Sequence, residues 1–334
     1  MILAGDIGGT KSNLALFDQC EGSFQMRFRD HFPTHEFSRF EEMIDAFLSA
    51  ARQGSALTPQ EKIDAAGFGV AGPIVGRRVQ MTNVRWAVDA DSLQRQLATP
   101  HVVLLNDLEA TGYSLAWLKP DELLTLNAGK PAPEAALALI AAGTGLGEAI
   151  LGWDGKRYVV TPSEGGHCDF APRNETEIEL LRHMKKSDNG PVSFELILSG
   201  RGFHVIHEFL NPAVQHASFA EPGADTAPEI TQHALEGTCS VCVETLELWT
   251  SIYGAEAGNL ALKALSLGGV FVAGGIAPKI LPKMQDGTFL QAFRQKEKFA
   301  EMLSHVPVQI VLNQEAPMLG AAAEAARILN TPAT

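Results

Sequence analysis

The stretch Leu3-Ala4-Gly5-Asp6-Ile7-Gly8-Gly9-Thr10-Lys11-Ser12-Asn13-Leu14-Ala15-Leu16-Phe17-Asp18 constrains the fold more than any other part of the chain. An apolar run holding a single acid meets two glycines, a threonine and a lysine. A second apolar run follows at once and ends in turn residues at Glu21-Gly22. The pattern predicts two strands joined by a glycine loop. Glycine lets backbone amides close on an anion and tolerates φ > 0. Thr10 and Lys11 add a hydroxyl and a cation where phosphate oxygens would sit. The Asp6 carboxylate is a hard oxygen ligand suited to Mg2+, directly or through water.

Two other phosphate loops do not fit. A P-loop needs G-x-x-x-x-G-K-[ST] opening a helix, whereas Lys11 follows a threonine and Asn13 to Phe17 has strand character. A dinucleotide loop likewise needs a helix after its glycines. One glycine hairpin alone is weak evidence, but the pattern recurs. Leu137 to Ala142 runs into Gly143-Thr144-Gly145-Leu146-Gly147, Glu148 to Leu151 resumes as a strand, and Asp154-Gly155 turns the chain into Lys156 to Val160. Two such hairpins facing each other would clamp a polyphosphate between two domains. In this the chain resembles the actin-like, ribonuclease-H-like ATPase superfamily, which implies a two-domain α/β fold with an interdomain cleft.

Length allows two cores in 334 residues, and 46% hydrophobic with 19% charged residues is ordinary globular composition. The net charge of −13 argues against nucleic acid or an anionic membrane as a partner. No run reaches the ~18 apolar residues of a membrane span. The first apolar run has no basic flank and meets Asp6 too early for a signal peptide, so a cytoplasmic protein is expected. Cys20, Cys168, Cys239 and Cys242 are expected to be reduced thiols, with Cys168 a small packing residue. Cys239-x-x-Cys242 is the only paired cysteine spacing, and no second C-x-x-C completes a zinc set in sequence.

Helical spacing marks 37–51, 175–186, 229–236 and 240–265, and a short helix is expected over 91–97, starting at a good cap. Strand character marks 63–70, 101–105, 269–273 and 308–312. A helix over 108–118 is expected to cross to the second domain. Ser193 is expected to cap a helix holding Glu195, stopped by Ser199-Gly200-Arg201-Gly202. The small-residue helix 321–329 is expected to return to the first domain. The expected domains are 1–117 plus 313–334, with the first loop and Asp107, and 118–312, with the second loop, Glu164, His167 and the Gly274-Gly275 element.

Residues suited to chemistry sit at element ends. Asp107 ends a buried strand, where open α/β sheets place their sites, and a carboxylate there can take a hydroxyl proton. The competing role for it is the N-cap of the next helix. Asn106 offers a donor and an acceptor to adjacent sugar hydroxyls. Glu164-Gly165-Gly166-His167 sets an acceptor and a tunable donor three residues apart, and a zinc reading of His167 has only Asp169 as a weak further ligand. Glu195 near a helix start is open to a purely dipole-compensating role. Gly274-Gly275 after a buried strand leaves room for a flat base or ribose against the backbone.

Taken together, the ordered motifs resemble the bacterial glucokinase family over nearly the whole chain. The carriers are Gly5 to Thr10, Met81-Thr82-Asn83 with Trp86, Asn106-Asp107, Ala142 to Gly147, Glu164-Gly165-Gly166-His167 through Pro172, Leu198-Ser199-Gly200 and Ala273 to Ile276. The group resembled lacks the zinc-type cysteine cluster of the repressor/kinase family. The resemblance implies ATP-dependent phosphorylation of D-glucose at its 6-hydroxyl with Mg2+, at the entry to glycolysis. It implies Asp107 as general base and Asn106, Glu164, His167 and Glu195 as glucose ligands, with Asn83 less certain. The ATP site then comprises Gly5, Asp6, Ile7, Gly8, Gly9, Thr10 and Lys11, the loop residues Gly143, Thr144, Gly145 and Gly147, and Gly274 with Gly275. A homodimer is implied, through the large domain. Lys11 with Ser12 departs from the asparagine and small residue the family pattern leads one to expect. The alternatives are a kinase of another hexose or N-acetylhexosamine, a non-catalytic sugar sensor, and an exopolyphosphatase- or acetate-kinase-like ATPase. The last leaves Glu164, His167 and Glu195 without a role.

Overall fold

The computed structural model describes residues 1–20, 22–81, 84, 86–187, 190–221 and 223–331. The chain forms two compact units, Met1–Pro120 with Asn313–Thr334 and Asp121–Leu312.

The first unit is built on a five-stranded sheet. Strands β1 (Ile2–Ile7), β2 (Lys11–Cys20) and β3 (Ser23–Pro33) form an antiparallel meander. The strands β4 (Ala65–Val70) and β8 (Val102–Asn106) extend it in parallel, in the order β3-β2-β1-β4-β8. Alternating Phe24, Met26, Phe28 and Phe32 give β3 its period of two. Between β4 and β8 lies a small antiparallel sheet of β5 (Ile74–Val75), β6 (Arg78–Gln80) and β7 (Ala87–Asp89). Alternation along β1 sends Leu3 and Ile7 to one face, against Phe40, Ile44 and Phe47 of α1 (Phe40–Gln53). Ile2 and Ala4 face the other way, against Ala321, Ala322 and Ala325 of the terminal helix Ala316–Leu329. Both faces are covered, as parallel strands with continuous apolar sequence require.

Two local expectations change here. Asp89, not Asp91, caps α2 (Ala90–Leu97), because its carboxylate accepts from the amides of Asp91 and Ser92. The helix after β8 is α3 (Asp107–Ser114), which stops at Ser114 instead of running to 118. It opens with a capping box: Asn106 Oδ1 accepts from Leu108 N, and Glu109 accepts from Asn106 N. Asn106 holds the N-cap position, and Asp107 shares in the helix start, since its Oδ1 also accepts from Leu108 N at 2.8 Å.

The second unit repeats the plan. Strands β10 (Leu137–Ala142), β11 (Leu146–Trp153) and β12 (Tyr158–Ser163) form the antiparallel meander. Strands β13 (Gly269–Ala273) and β14 (Val308–Val311) extend it in parallel, and β9 (Leu123–Asn127) closes the far edge antiparallel to β14. Helix α8 (Ser240–Ala264) runs through the core, where Trp249 stacks on Phe203 at 4.7 Å. Around it lie α4 (Glu175–Ser187), α5 (Phe194–Ile197), α6 (Gly200–Leu210), α7 (Ala227–Glu236), α9 (Leu281–Gln285), α10 (Thr288–Arg294) and α11 (Ala300–Ser304).

The helix holding Glu195, α5, starts after Ser193 and ends at Ile197, before Ser199, as expected, and Ser199 then stands at the N-cap of a further helix, α6. Cys168 is exposed, not a packing residue. The cysteine pair at 239 and 242 also gains histidine neighbours from distant sequence. Among the described residues, no helix is long and apolar enough to cross a membrane.

Candidate active site

In the first unit the chemistry gathers at the carboxyl ends of β1, β4 and β8. Register sets Asp6 beside Gly69, and Val70 beside Asn106. A Cβ added to Gly69 would stand 3.6 Å from Asp107 Cα and 3.8 Å from the Gly5 carbonyl, so these three strand ends lie close together. Asp6 is half-buried and Asp107, at the first position of α3, is exposed. Burial and the nearby Asp107 charge push the Asp6 carboxyl up to about 6, against a hydrogen bond from Asn13 Nδ2 at 3.4 Å. Two carboxylates this close, facing the same strand ends, are a hard oxygen donor set of the kind Mg2+ takes. Asn106 spends its Oδ1 on the cap, which leaves its Nδ2 outside the capping box.

The connection from β1 to β2 is tight. Gly8 N donates to Lys11 O at 3.2 Å, and Thr34 Oγ1 donates to Gly8 O at 2.8 Å while lying 2.9 Å from Ser12 Oγ. This buried pair of hydroxyls braces the loop from below and leaves Gly9 half-buried, with Thr10 and Lys11 exposed. Gly5 and Ile7 belong to the sheet itself. Ile7 has its side chain in the core and its carbonyl bonded to Ala71 N.

In the second unit Glu164, His167 and Glu195 come together beside the second glycine loop. His167 Nε2 is 4.0 Å from Glu164 Oε2 and 3.9 Å from Glu195 Oε2. Glu195 Oε2 accepts from Leu146 N at 3.0 Å, and a Cβ on Gly145 would come within 2.5 Å of the same oxygen. Glu195 is therefore tied to the loop and does more than offset a helix dipole. The chain brings it there because Phe194 N donates to Cys168 O and Gly200 N donates to Gly143 O. Glycine at 166 is obligatory: a Cβ there would lie 2.0 Å from Leu146 O. Thr144 is exposed, and Gly143 and Gly147 are half-buried. Gly274 follows β13 with φ +85°, and its amide neighbourhood abuts Ala142, whose carbonyl accepts from Ile276 N. Gly274-Gly275 and Gly143 to Gly147 are thus adjacent. Asn83 lies outside the described residues.

Sequence reasoning missed the acid beneath this loop. Glu148 on β11 is buried, and a Cβ on Gly165 would clash with its Oε2. Burial and the neighbouring Glu256 raise its carboxyl to about 8, opposed by Lys263, which pairs with Glu256 at 3.1 Å. Its only signal was a charged residue at an inward position of a buried strand.

Comparison with known proteins follows the same lines. A family model described as Glucokinase matches residues 3–328. A glucokinase of a Nostoc species is 41% identical, with 98% of this chain and 99% of that protein covered. A crystal structure of glucokinase from an Antarctic psychrotroph superposes with a TM-score of 0.83 at 28% identity, covering 98% of each chain. A glucokinase of Balamuthia mandrillaris in complex with glucose gives a TM-score of 0.78 at 20% identity, covering 97% of this chain and 94% of that one. The paired meander-plus-parallel sheets are those of the actin-like ATPase fold, and the chain belongs to the glucokinase family.

Proposed function

We propose that this chain transfers the γ-phosphoryl group of ATP to the 6-hydroxyl of D-glucose, with Asp107 as general base. The observation that carries the assignment of the base is the position of Asp107. It sits at the carboxyl end of a parallel strand, next to Asp6 and the first glycine loop, exposed and one residue beyond the N-cap Asn106. Asp107 accepts the hydroxyl proton as that oxygen forms its bond to γ-phosphorus, and the bond from phosphorus to the β,γ-bridging oxygen breaks to release ADP. The amides of Gly8 and Gly9 and the hydroxyl of Thr10 hold phosphate oxygens, with the Gly143–Gly147 loop as the second phosphate element. Gly274 and Gly275 provide a flat backbone for the adenosine.

Asn106, Glu164, His167, Glu195 and, by the family pattern, Asn83 hold the sugar hydroxyls. Carboxylate acceptors suit this task because charge-assisted hydrogen bonds stay strong once water is excluded. Asp6 would hold Mg2+, directly or through water. When bound, the ion neutralises charge on the transferring phosphate. A homodimer in the cytoplasm completes the reading. Size-exclusion chromatography with light scattering tests the dimer.

The decisive assay follows ADP release and glucose 6-phosphate together, with ATP, Mg2+ and a panel of hexoses and N-acetylhexosamines. Stoichiometric product with glucose, and much lower kcat/KM for the other sugars, is expected. ADP release indifferent to sugar, or preference for another sugar, overturns the assignment.

A further inference from the structure

A second constellation lies in the Asp121–Leu312 unit, among α6, α7 and the start of α8. His207 on α6, His216 ahead of the turn at Ala217–Ala220, Cys239 just before α8 and Cys242 in its first turn each offer one ligand atom. All four atoms lie within 4.8 Å of one another. Cys242 Sγ is 3.2 Å from His216 Nε2. The two imidazoles stand edge to face with centroids 5.2 Å apart, and Phe219 packs edge-on against both. His207 is 1% exposed, yet its Nε2 has no hydrogen-bond partner. A polar atom sealed from water without a partner is costly, and an imidazole nitrogen with a free lone pair is a metal ligand.

We propose that His207, His216, Cys239 and Cys242 form a structural zinc site. Two thiolates and two imidazoles make a closed tetrahedral set, which zinc favours over harder cations. Ligand atoms around one zinc ion stand about 3.3 to 3.8 Å apart, so the four atoms need only small side-chain adjustments to enclose it. The second grouping, His216 with Glu229 and His233, is already spent on internal bonds. Glu229 accepts from Ala217 N, Ser218 N and Ser218 Oγ, and His233 Nδ1 lies 2.7 Å from Thr238 Oγ1. A disulfide within Cys239-x-x-Cys242 would leave both imidazoles idle. The site pins α6 and the 211–220 connection to the long core helix, and it is independent of the phosphoryl-transfer reading.

The test uses untagged, full-length protein, reduced and freed of metal by a chelator. Co2+ is titrated in and displaced with Zn2+. The expected result is uptake of about one ion per chain, with the intense visible bands of tetrahedral Co2+ and a thiolate charge-transfer band. Zn2+ should displace the Co2+ and raise the midpoint of thermal unfolding. Cys239→Ser keeps a side chain suited to the helix start and should fold, yet should weaken the charge-transfer band; Cys242→Ser and His207→Gln should lower affinity at least tenfold. No stoichiometric uptake by the reduced protein overturns the proposal. So does a native Cys239–Cys242 disulfide whose reduction yields no metal binding, or a thiolate band that survives in the Cys239→Ser/Cys242→Ser double variant.

Discussion

Replacing Asp6 by asparagine should make the protein more stable and less active. Asp6 is held at about 6, against 3.8 for an unperturbed carboxyl, first by burial and then by the charge of Asp107. An acid whose pKa is raised on folding binds its proton more tightly in the folded state. Its contribution is therefore most favourable below pH 3.8 and is lost as pH rises through 6. The shift corresponds to about 3 kcal/mol of destabilisation when Asp6 is fully ionised. Because the side chain is only half-buried, solvent screening sets this as an upper bound, and about 1–3 kcal/mol is expected. Asparagine is nearly isosteric, does not ionise, and keeps an acceptor for Asn13.

Urea unfolding of wild type and Asp6→Asn, without nucleotide or Mg2+, measures the effect. At pH 7.5 the variant should be more stable by that amount. At pH 5 its advantage should shrink by up to about 1.4 kcal/mol, a change of about half a molar in the urea midpoint difference. Turnover should fall together with the affinity for Mg2+-ATP. Equal pH dependence in the two proteins, or a less stable variant at pH 7.5, refutes the reasoning.

Asp107→Asn should lower kcat by about 10²- to 10⁴-fold while glucose still binds by calorimetry, and near-normal kcat removes it from the role of base. Gly166→Ala forces a Cβ to within 2.0 Å of Leu146 O. It should cost about 1–3 kcal/mol in unfolding free energy and raise KM for glucose, so unchanged values for both would show that the loop is not held there. Glu148→Gln removes the need to carry a proton that burial and Glu256 force onto Glu148. It should flatten the loss of stability that the wild type shows as pH rises from 4.5 toward 8, and an unaltered pH profile contradicts that account. Chelating Mg2+ with EDTA should abolish turnover, and restoration by Mg2+ but not by Zn2+ separates the Asp6 position from the cysteine–histidine cluster.

Much of the plan was written in local sequence. The glycine loops after buried apolar runs, the Asp154-Gly155 turn and the long apolar pattern of α8 each follow from short-range chemistry, and each forms as that chemistry predicts. The candidate nucleotide and sugar residues were nameable because acids beside glycine at strand ends are poor choices for packing alone. What sequence could not decide depends on partners distant along the chain. Both Asn106 and Asp107 reach Leu108 N, and the answering bond from Glu109 to Asn106 N is what closes the capping box on Asn106. The proximity of Asp107 that raises Asp6 comes from the parallel pairing of β1, β4 and β8, 101 positions apart in sequence for the two acids. The tie between Glu195 and the second loop, and the burial of Glu148 under Gly165, arise from close packing of segments that local propensity does not relate. The cysteine pair shows the same division. Its spacing was visible at once, but His207 and His216 reach it only because α6 folds back on the first turn of α8. Periodicity and turn chemistry determined the elements. Long-range packing decided which charges and ligand atoms meet, because those distances are set by the close packing of elements far apart in the chain.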